Sequence, residues 1–484
     1  MKRSAFALLL LGGLWPRLDA CSEDTRSARQ ATTGRPAAEV PFREVRAIRV
    51  TKTNLSEIPD FTMPKGSFWS GMKLGGDRLS LSRDFIRKGN TYFPIRDVVE
   101  HVAQQKMSNA EAVAFLKSLP PGTGFYEMLG DDDFNKRGGA LQGLWTNPVT
   151  VSPKEVAVFL TNWWGSRIGD YRLGNPKVLL DLDLEGFPPT WMNNQVLAEG
   201  VRLFRQQHPE VEFAMYASGR ANLYPGGPGG VQNRYGNVGG DVRHELFASA
   251  GFTYFEMIPY AHFEEPLIGP GKPYSDFADY ARRSSLHIGK ALNWLDARAK
   301  FTRKGYKGMS WIMTRYEGGD WSMVAPHIIE SLPLWFQVTG AGRSGGGLCN
   351  WHQGDIPLNI SDFAFEAGKW RVSRFNDIWE DPETEYNIRP EISLDGGQTW
   401  TTDTPTPWPG KPDDWSPARF RWFYDDPKPI GVRAARSKDR LVVVAAHRAG
   451  LEAGQSQTVW CRYEGRTWKL VIPFQTVVTG TIAL

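Results

Sequence analysis

The stretch Val178-Leu179-Leu180-Asp181-Leu182-Asp183-Leu184-Glu185 carries an acidic residue at every second position, with leucines between them. Alternate side chains of a β-strand point to opposite faces, so the leucines share one face and Asp181, Asp183 and Glu185 share the other. A strand with one face packed under helices and the other lining an enclosed interior is typical of a (β/α)₈ barrel. An edge strand with its acids in water is the structural alternative.

Short apolar runs alternate with amphipathic stretches on both sides of this segment. The predicted strands are Val45–Val50, Ser67–Leu74, Gly124–Leu129, Lys177–Glu185, Glu212–Ala217, Tyr254–Ile258, Met309–Thr314 and Gly347–Trp351. The predicted helices are Ile95–Gln105, Asn109–Leu119, Pro153–Arg167, Trp191–Gln207, Val242–Ala250, Ser275–Arg303 and Ser322–Thr339. This alternation predicts an α/β fold with one (β/α)₈ TIM-type barrel over residues 41–355. The acidic stretch is then the fourth strand, and Glu185 lies at its carboxyl end, where active sites of this fold lie.

The pattern changes after Asp355, where short strands are separated by Pro, Gly and Asp. The predicted strands are Trp370–Ser373, Glu391–Leu394, Gly431–Ala435, Leu441–Ala446, Thr458–Tyr463 and Thr467–Ile472. Residues 356–484 therefore predict an all-β sandwich, packed directly on the barrel. Within it, Ser393–Trp400 fits the Asp-box pattern S-x-D-x-G-x-T-W, which predicts a structural hairpin.

The chain begins with a short basic segment, Met1–Arg3, followed by the apolar run Ala5–Trp15. This run is too short to cross a bilayer, and residues 1–20 are typical of a signal peptide. We therefore expect an exported protein that is periplasmic, anchored in the outer membrane or extracellular.

Leu18-Asp19-Ala20-Cys21 resembles a bacterial lipobox, which predicts a lipid anchor at Cys21. Asp19 fits the lipobox poorly, so ordinary cleavage after Ala20 is the alternative. The polar residues 21–40 predict a tether between the anchor and the barrel.

The composition favours a glycan partner over a nucleic acid. The 57 basic and 53 acidic side chains leave a formal net charge of only +4, and nucleic-acid-binding domains carry a clear basic excess. The 19 tryptophans are an unusual number. Exposed indole rings can stack on the apolar faces of sugars, and a large aromatic core is the alternative explanation.

Removal of Cys21 would leave Cys349 and Cys461, which could form one disulfide or none. The sequence contains no CxxC pair, no HExxH and no GxxxxGK[ST]. We therefore expect no metal and no cofactor.

The spacing Asp181-x-Asp183-x-Glu185 resembles the D-x-x-D-x-D-x-E signature of glycoside hydrolase family 18, the chitinases and endo-N-acetylglucosaminidases. Met257-Ile258-Pro259-Tyr260 closes the predicted sixth strand, where that family carries a Met and a functional Tyr. Gly346–Trp351 forms the predicted eighth strand, where the family has a Gly-Gly run that ends in Trp. The chain departs from the family at Val178, which replaces the first Asp, and in a Met–Tyr spacing that is one residue longer.

The resemblance implies a substrate-assisted retaining mechanism, a recognised exception to the two-carboxylate scheme. Glu185 would protonate the glycosidic oxygen, and Asp183 would orient the acetamido group whose carbonyl oxygen attacks the anomeric carbon. Tyr260 would hydrogen-bond this group, Asp181 would tune Asp183, and Trp351 would form the floor of the sugar site.

Two other functions fit the same sequence. A retaining glycosidase would use Glu185 as acid/base and Glu317, after the seventh strand, as nucleophile, with carboxyl groups ~5 Å apart. A non-catalytic carbohydrate-binding lipoprotein would be a barrel that has kept its sugar-binding groove and lost hydrolytic activity.

Other polar and aromatic residues occur near predicted strand ends, where they would bind substrate. They are Trp69, Glu127, Glu256, Tyr216, Arg220 and Tyr316. Glu127 and Glu256 are equally well explained as structural carboxylates. Arg220 lies in the glycine-rich loop 219–240, which is predicted to overhang the mouth of the barrel.

Overall fold

The structure is a computed structural model that describes residues 38–70, 79–129, 139–167, 169–171, 177–183, 191–216, 246–256, 288, 292, 295, 307–314, 325–351, 358–403, 430–447 and 454–484. Residues Ala38–Leu484 form one compact unit. Among the described residues, no helix has the length and apolar character needed to cross a membrane.

Seventeen strands and eight α-helices have defined bounds within the described residues. The strands are β1 Ala38–Glu39, β2 Arg43–Glu44, β3 Tyr92–Pro94, β4 Gly124–Leu129, β5 Val178–Asp183, β6 Val211–Tyr216, β7 Phe252–Glu256, β8 Lys307–Met313, β9 Gly347–Trp351, β10 Glu385–Ile388, β11 Glu391–Ser393, β12 Thr401–Thr402, β13 Ile430–Ser437, β14 Arg440–His447, β15 Ser456–Tyr463, β16 Arg466–Pro473 and β17 Val477–Ala483. The helices are α1 Leu79–Arg87, α2 Arg96–Ala103, α3 Asn109–Lys117, α4 Pro153–Arg167, α5 Trp191–Gln207, α6 Pro326–Val338, α7 Ile360–Ser373 and α8 Asn376–Trp379. Single 3₁₀ turns occur at Leu55–Glu57, Gln142–Trp145, Gly169–Tyr171 and Arg343–Gly345.

Strands β3 to β9 form a seven-stranded sheet in chain order, and every neighbouring pair is parallel. The segment before them links the two edges of this sheet, because Ser70 bridges both Tyr92 of β3 and Cys349 of β9. The backbone N–H of Phe68 also donates to the carbonyl of Gly345 at 3.1 Å. These eight parallel segments curl into a TIM-barrel-like fold, with β5 in the fourth position as the sequence predicts.

The alternation in β5 separates two buried layers. Val178, Leu180 and Leu182 belong to the core between sheet and helices, with Leu160 of α4 among its members. Leu179 lies in a second cluster on the interior face. A parallel strand that is buried on both faces explains why this stretch is so rich in aliphatic residues.

Two predictions near the amino-terminal end of the barrel are wrong. Val45–Val50 forms no strand. The second barrel position, which was predicted for Ser67–Leu74, is taken by β3, and the segment around Ser70 takes the first position. β1 and β2 pair with β16 and β17 of the carboxyl-terminal sheets. Residues 38–44 therefore extend those sheets, although the sequence assigned them to the tether and the start of the barrel.

The strand predicted at Trp370–Ser373 is also wrong, because α7 covers these residues. Asn359 caps the helix, and the side chain of Asp362 completes the capping box. Glu366 and Lys369 of α7 are fully buried, and they form an ion pair at 2.6 Å. This helix packs against α6. The last helix of the barrel region thus lies beyond residue 355, where the sequence predicted the start of the sandwich.

Two five-stranded, mainly antiparallel sheets form the carboxyl-terminal region, as predicted. Their orders are β1-β16-β15-β11-β12 and β10-β13-β14-β17-β2. The two sheets enclose a common core, which includes Trp468 and Val459 from one sheet and Val443 from the other. Val442 and Val444, on the other face of β14, share a core with Phe336 and Leu332 of α6. The sandwich therefore packs directly on the helical layer.

The Asp-box forms the predicted hairpin between β11 and β12. The backbone N–H groups of Gln398 and Thr399 donate to Oδ1 of Asp395 at 3.0 and 2.9 Å. Hydrogen bonds from Ser393 and Thr399 hold the pKa of Asp395 below its usual range. The motif is thus a structural turn.

Candidate active site

Asp181 lies at the centre of the candidate site, on the interior face of β5. Its side chain is fully buried. The hydroxyl of Tyr126, on the neighbouring strand β4, donates to Oδ2 at 2.9 Å. The indole N–H of Trp311 donates to the same oxygen, also at 2.9 Å. Trp311 belongs to β8, which β6 and β7 separate from β5, so this second hydrogen bond crosses the barrel interior.

Aromatic and aliphatic side chains fill the interior of the barrel around Asp181. The buried cluster contains Phe68, Tyr92, Tyr126, Leu179, Ala214, Tyr254, Met309, Trp311 and Cys349. Met128, whose Cα pairs with that of Asp181, is only partly buried. The closed interior leaves the carboxyl side, toward which β5 continues to Asp183, as the direction from which substrate would reach the site.

The charge of Asp181 acts on its neighbours. The pKa of Tyr126 lies well above its ordinary value, mainly because the phenol is buried and further because Asp181 lies beside it. Tyr126 therefore stays protonated and remains a hydrogen-bond donor. Burial likewise raises the pKa of Cys349, and the charge of Asp181 adds to this effect. Cys349 is a neutral thiol, which disfavours a nucleophilic role.

Four predicted site positions end four strands of the parallel sheet. Asp183, Tyr216, Glu256 and Trp351 are the last residues of β5, β6, β7 and β9. The Cα of Asp183 pairs with that of Tyr216. Carboxyl ends of parallel strands lie at one edge, so the backbone brings these positions together there. Their side chains lie outside the described residues.

The remaining predictions at this edge also fall outside the described residues. They are Glu185, Tyr260, Glu317, Arg220 and Tyr316.

Trp69 does not agree with its predicted role as a sugar-binding residue. Its ring is fully buried between the barrel and the helices, with its centroid 6.3 Å from Phe336 of α6 and 6.4 Å from Phe365 of α7. The indole N–H donates to Oγ of Ser67 at 2.9 Å. A ring enclosed in this way is part of the core and offers no face to a sugar.

Glu127 lies away from Asp181. It shares its strand face with Phe125 and Leu129, which both belong to the core between sheet and helices. The side chain is 4% exposed. This position agrees with the structural explanation of Glu127.

Neither Tyr126 nor Trp311 was predicted from the sequence as a donor to Asp181. The alternation of β4 carries a signal for Tyr126, because the apolar Phe125 and Leu129 occupy the opposite face. Trp311 carries no local signal, because it is 130 residues from Asp181 in the chain.

Cys349 and Cys461 are both buried and free. In the part of the chain that the structure describes, no group of three or more His, Cys, Asp or Glu side chains could hold a metal ion.

No protein-family model and no curated protein matches this chain. Several solved structures show a low similarity to it. A GH30 endoxylanase from Clostridium papyrosolvens C71 is 9% identical, with 88% of this chain and 98% of the endoxylanase covered and a TM-score of 0.37. An endo-β-1,4-mannanase double mutant from Cellulomonas fimi is 10% identical, with 85% and 94% covered and a TM-score of 0.38. A GH18 chitinase from Chromobacterium violaceum is 12% identical, with 65% and 85% covered and a TM-score of 0.35. At these identities and TM-scores, the similarity carries no inference about the activity of this chain.

Proposed function

We propose that this chain is an exported glycoside hydrolase that cleaves N-acetylated glycans by a substrate-assisted retaining mechanism. The observation that carries the proposal is the buried Asp181 carboxylate, which accepts hydrogen bonds from Tyr126 and Trp311 inside the barrel. Burial of a carboxylate is costly, and well-packed apolar residues of similar size are often at least as stable. A site that uses negative charge explains why the carboxylate is there.

In the proposed reaction, Glu185 gives its proton to the glycosidic oxygen as the bond to the anomeric carbon breaks. The carbonyl oxygen of the substrate's acetamido group attacks that carbon and forms a cyclic oxazolinium ion, with Asp183 orienting the group. Water then attacks the anomeric carbon and opens the oxazolinium ring, while Glu185 takes a proton from this water. The configuration at the anomeric carbon is therefore retained. Tyr260 hydrogen-bonds the acetamido group, and Trp351 stacks under the sugar.

Asp181 supplies a fixed negative charge to this reaction. Its Cα lies roughly 6.6 Å before that of Asp183 along the strand. In the low dielectric of the interior, this charge stabilises the positive charge that develops on the acetamido group, without contact with the substrate. Glu256, Tyr216, Arg220 and Tyr316 are proposed to bind sugar hydroxyl groups.

Export by the signal peptide 1–20 and lipid anchoring at Cys21 belong to the same proposal. Both depend on the amino-terminal sequence pattern alone.

The acetamido requirement tests the mechanism. We expect the wild type to hydrolyse chitin oligosaccharides and aryl 2-acetamido-2-deoxy-glycosides at least about 1,000-fold faster than the matching 2-hydroxy glycosides, because the neighbouring carbonyl is the nucleophile. Equal rates on both substrates would contradict the proposal.

A 2-deoxy-2-fluoro glycoside with a good leaving group separates the alternatives. Covalent labelling of Glu317, detected by mass spectrometry, would establish double displacement by a protein nucleophile. Binding of N-acetylated oligosaccharides without any hydrolysis would identify a non-catalytic carbohydrate-binding protein.

A further inference from the structure

The Asp181 carboxylate is held from two walls of the barrel. Tyr126 donates from the adjacent strand and Trp311 from the far side, both to Oδ2 at 2.9 Å. The two rings also contact each other, with centroids 5.8 Å apart and an angle of 56° between their planes. Two donors from different directions fix the rotation of the carboxylate about its Cβ–Cγ bond.

Both donors are neutral, so they orient the carboxylate without cancelling its charge. Indole N–H can only donate, and the raised pKa of Tyr126 keeps its phenol protonated at any physiological pH. Hydrogen bonds to a charged acceptor are stronger than those between neutral groups. They therefore offset part of the cost of burying the charge.

We propose that Tyr126 and Trp311 are positioning residues for hydrolysis, which hold the Asp181 carboxylate charged and oriented beneath Asp183. This inference rests on the proposed function, because Asp183 and the acetamido group are the parts on which Asp181 acts. Tyr126 and Trp311 are 4% and 3% exposed. Their effect on the reaction therefore passes through Asp181.

The other end of the same interior offers a matched control. Tyr92 is also 4% exposed, and its hydroxyl donates to Glu212 at 3.4 Å. Tyr92→Phe removes the same atom as Tyr126→Phe, from the same buried cluster, but leaves the donors of Asp181 in place.

A double-mutant cycle tests the inference. We expect Tyr126→Phe to lower kcat about 10- to 100-fold, with KM changed by less than about twofold, because a hydrogen bond to a charged group is lost. In the Asp181→Asn background, the same substitution should change kcat by less than about twofold. Trp311→Phe should behave in the same way in a second cycle, and Tyr92→Phe should have little effect in either background.

Equal losses in the two backgrounds would overturn the inference, since Tyr126 would then act through general packing. A loss of kcat in Tyr92→Phe as large as that in Tyr126→Phe would overturn it for the same reason.

The same four proteins also separate this inference from the proposed function. If the wild type hydrolyses no glycan, the proposed function is wrong. The unfolding equilibrium constants of the four proteins in the Tyr126→Phe and Asp181→Asn cycle then test the inference. Coupling between Tyr126→Phe and Asp181→Asn above about fivefold supports the assignment of Tyr126 as a holder of Asp181. Coupling below about twofold overturns it.

Discussion

Two carboxylates lie in the interior of the same barrel, and their surroundings differ. Asp181 is fully buried, and the two donors described at its Oδ2 are the neutral Tyr126 and Trp311. Glu212 is 29% exposed at its side chain and pairs with the ammonium group of Lys307 at 3.3 Å. The hydroxyl of Tyr92 adds a longer hydrogen bond of 3.4 Å to Glu212.

The difference assigns the two carboxylates different tasks. Lys307 balances the charge of Glu212, and both side chains contact solvent where β6 and β8 begin, which is typical of a structural ion pair. Asp181 lies farther along its strand, toward the carboxyl edge where barrel active sites lie. The two described donors to its carboxylate, Tyr126 and Trp311, are neutral, whereas the described partner of Glu212 is the cation Lys307.

Activity measurements on two single variants should give the largest contrast between these carboxylates. We expect Asp181→Asn to lower kcat about 100- to 1,000-fold, because an oriented charge is lost from the site. Glu212→Gln should change kcat by less than about twofold. Steady-state kinetics on an aryl N-acetylglycoside measure both effects.

Circular dichroism of the two variants is the control, because each must be folded at the assay temperature. Similar losses of activity in both folded variants would remove the distinction between the carboxylates.

Alkaline pH should produce a smaller effect at the Glu212 end. Burial raises the pKa of Tyr254 well above its ordinary value of 10.0, and Tyr92 and Glu212 raise it further. The stability that results is fully present below about pH 10 and is lost at higher pH, because the unfolded chain ionises first. Between pH 10 and pH 11, the free energy of unfolding should therefore fall in both proteins. The fall should be up to about 1.4 kcal/mol smaller in Tyr254→Phe than in the wild type.

Urea unfolding at these two pH values measures this difference. Identical pH dependence in the wild type and Tyr254→Phe would contradict this expectation, because it would show that the Tyr254 phenol ionises as readily in the folded protein as in the unfolded chain.

The strand–helix alternation around β5 could be predicted from sequence, whereas α1, β3, α7 and β17 are among the elements that were not predicted. The apolar alternation of β5 and the amphipathic pattern of α5 are long enough to identify. β3 has three residues and ends in Pro94, so it is too short for a periodic signal. In α7, Glu366 and Lys369 occupy buried positions and pair only after folding, so the sequence shows charges where a core face is expected.

The candidate site could be predicted in part for a similar reason. Strand alternation alone placed Asp181 on the interior face. The donors Tyr126 and Trp311 come from other strands, and the closure of the sheet brings them to Asp181, which no local pattern records. Trp69 was misassigned because a tryptophan near a strand end can face the site or the helices, and its neighbours in space decide between them.

Hydrolysis by Glu185→Gln tests the central claim most directly, because Glu185 is the proposed proton donor. The account predicts that this variant binds N-acetylated oligosaccharides within about threefold of the wild-type affinity and hydrolyses them about 100- to 10,000-fold more slowly. Isothermal titration calorimetry and product analysis on the same samples give both numbers. A Glu185→Gln variant with wild-type rates would contradict the account.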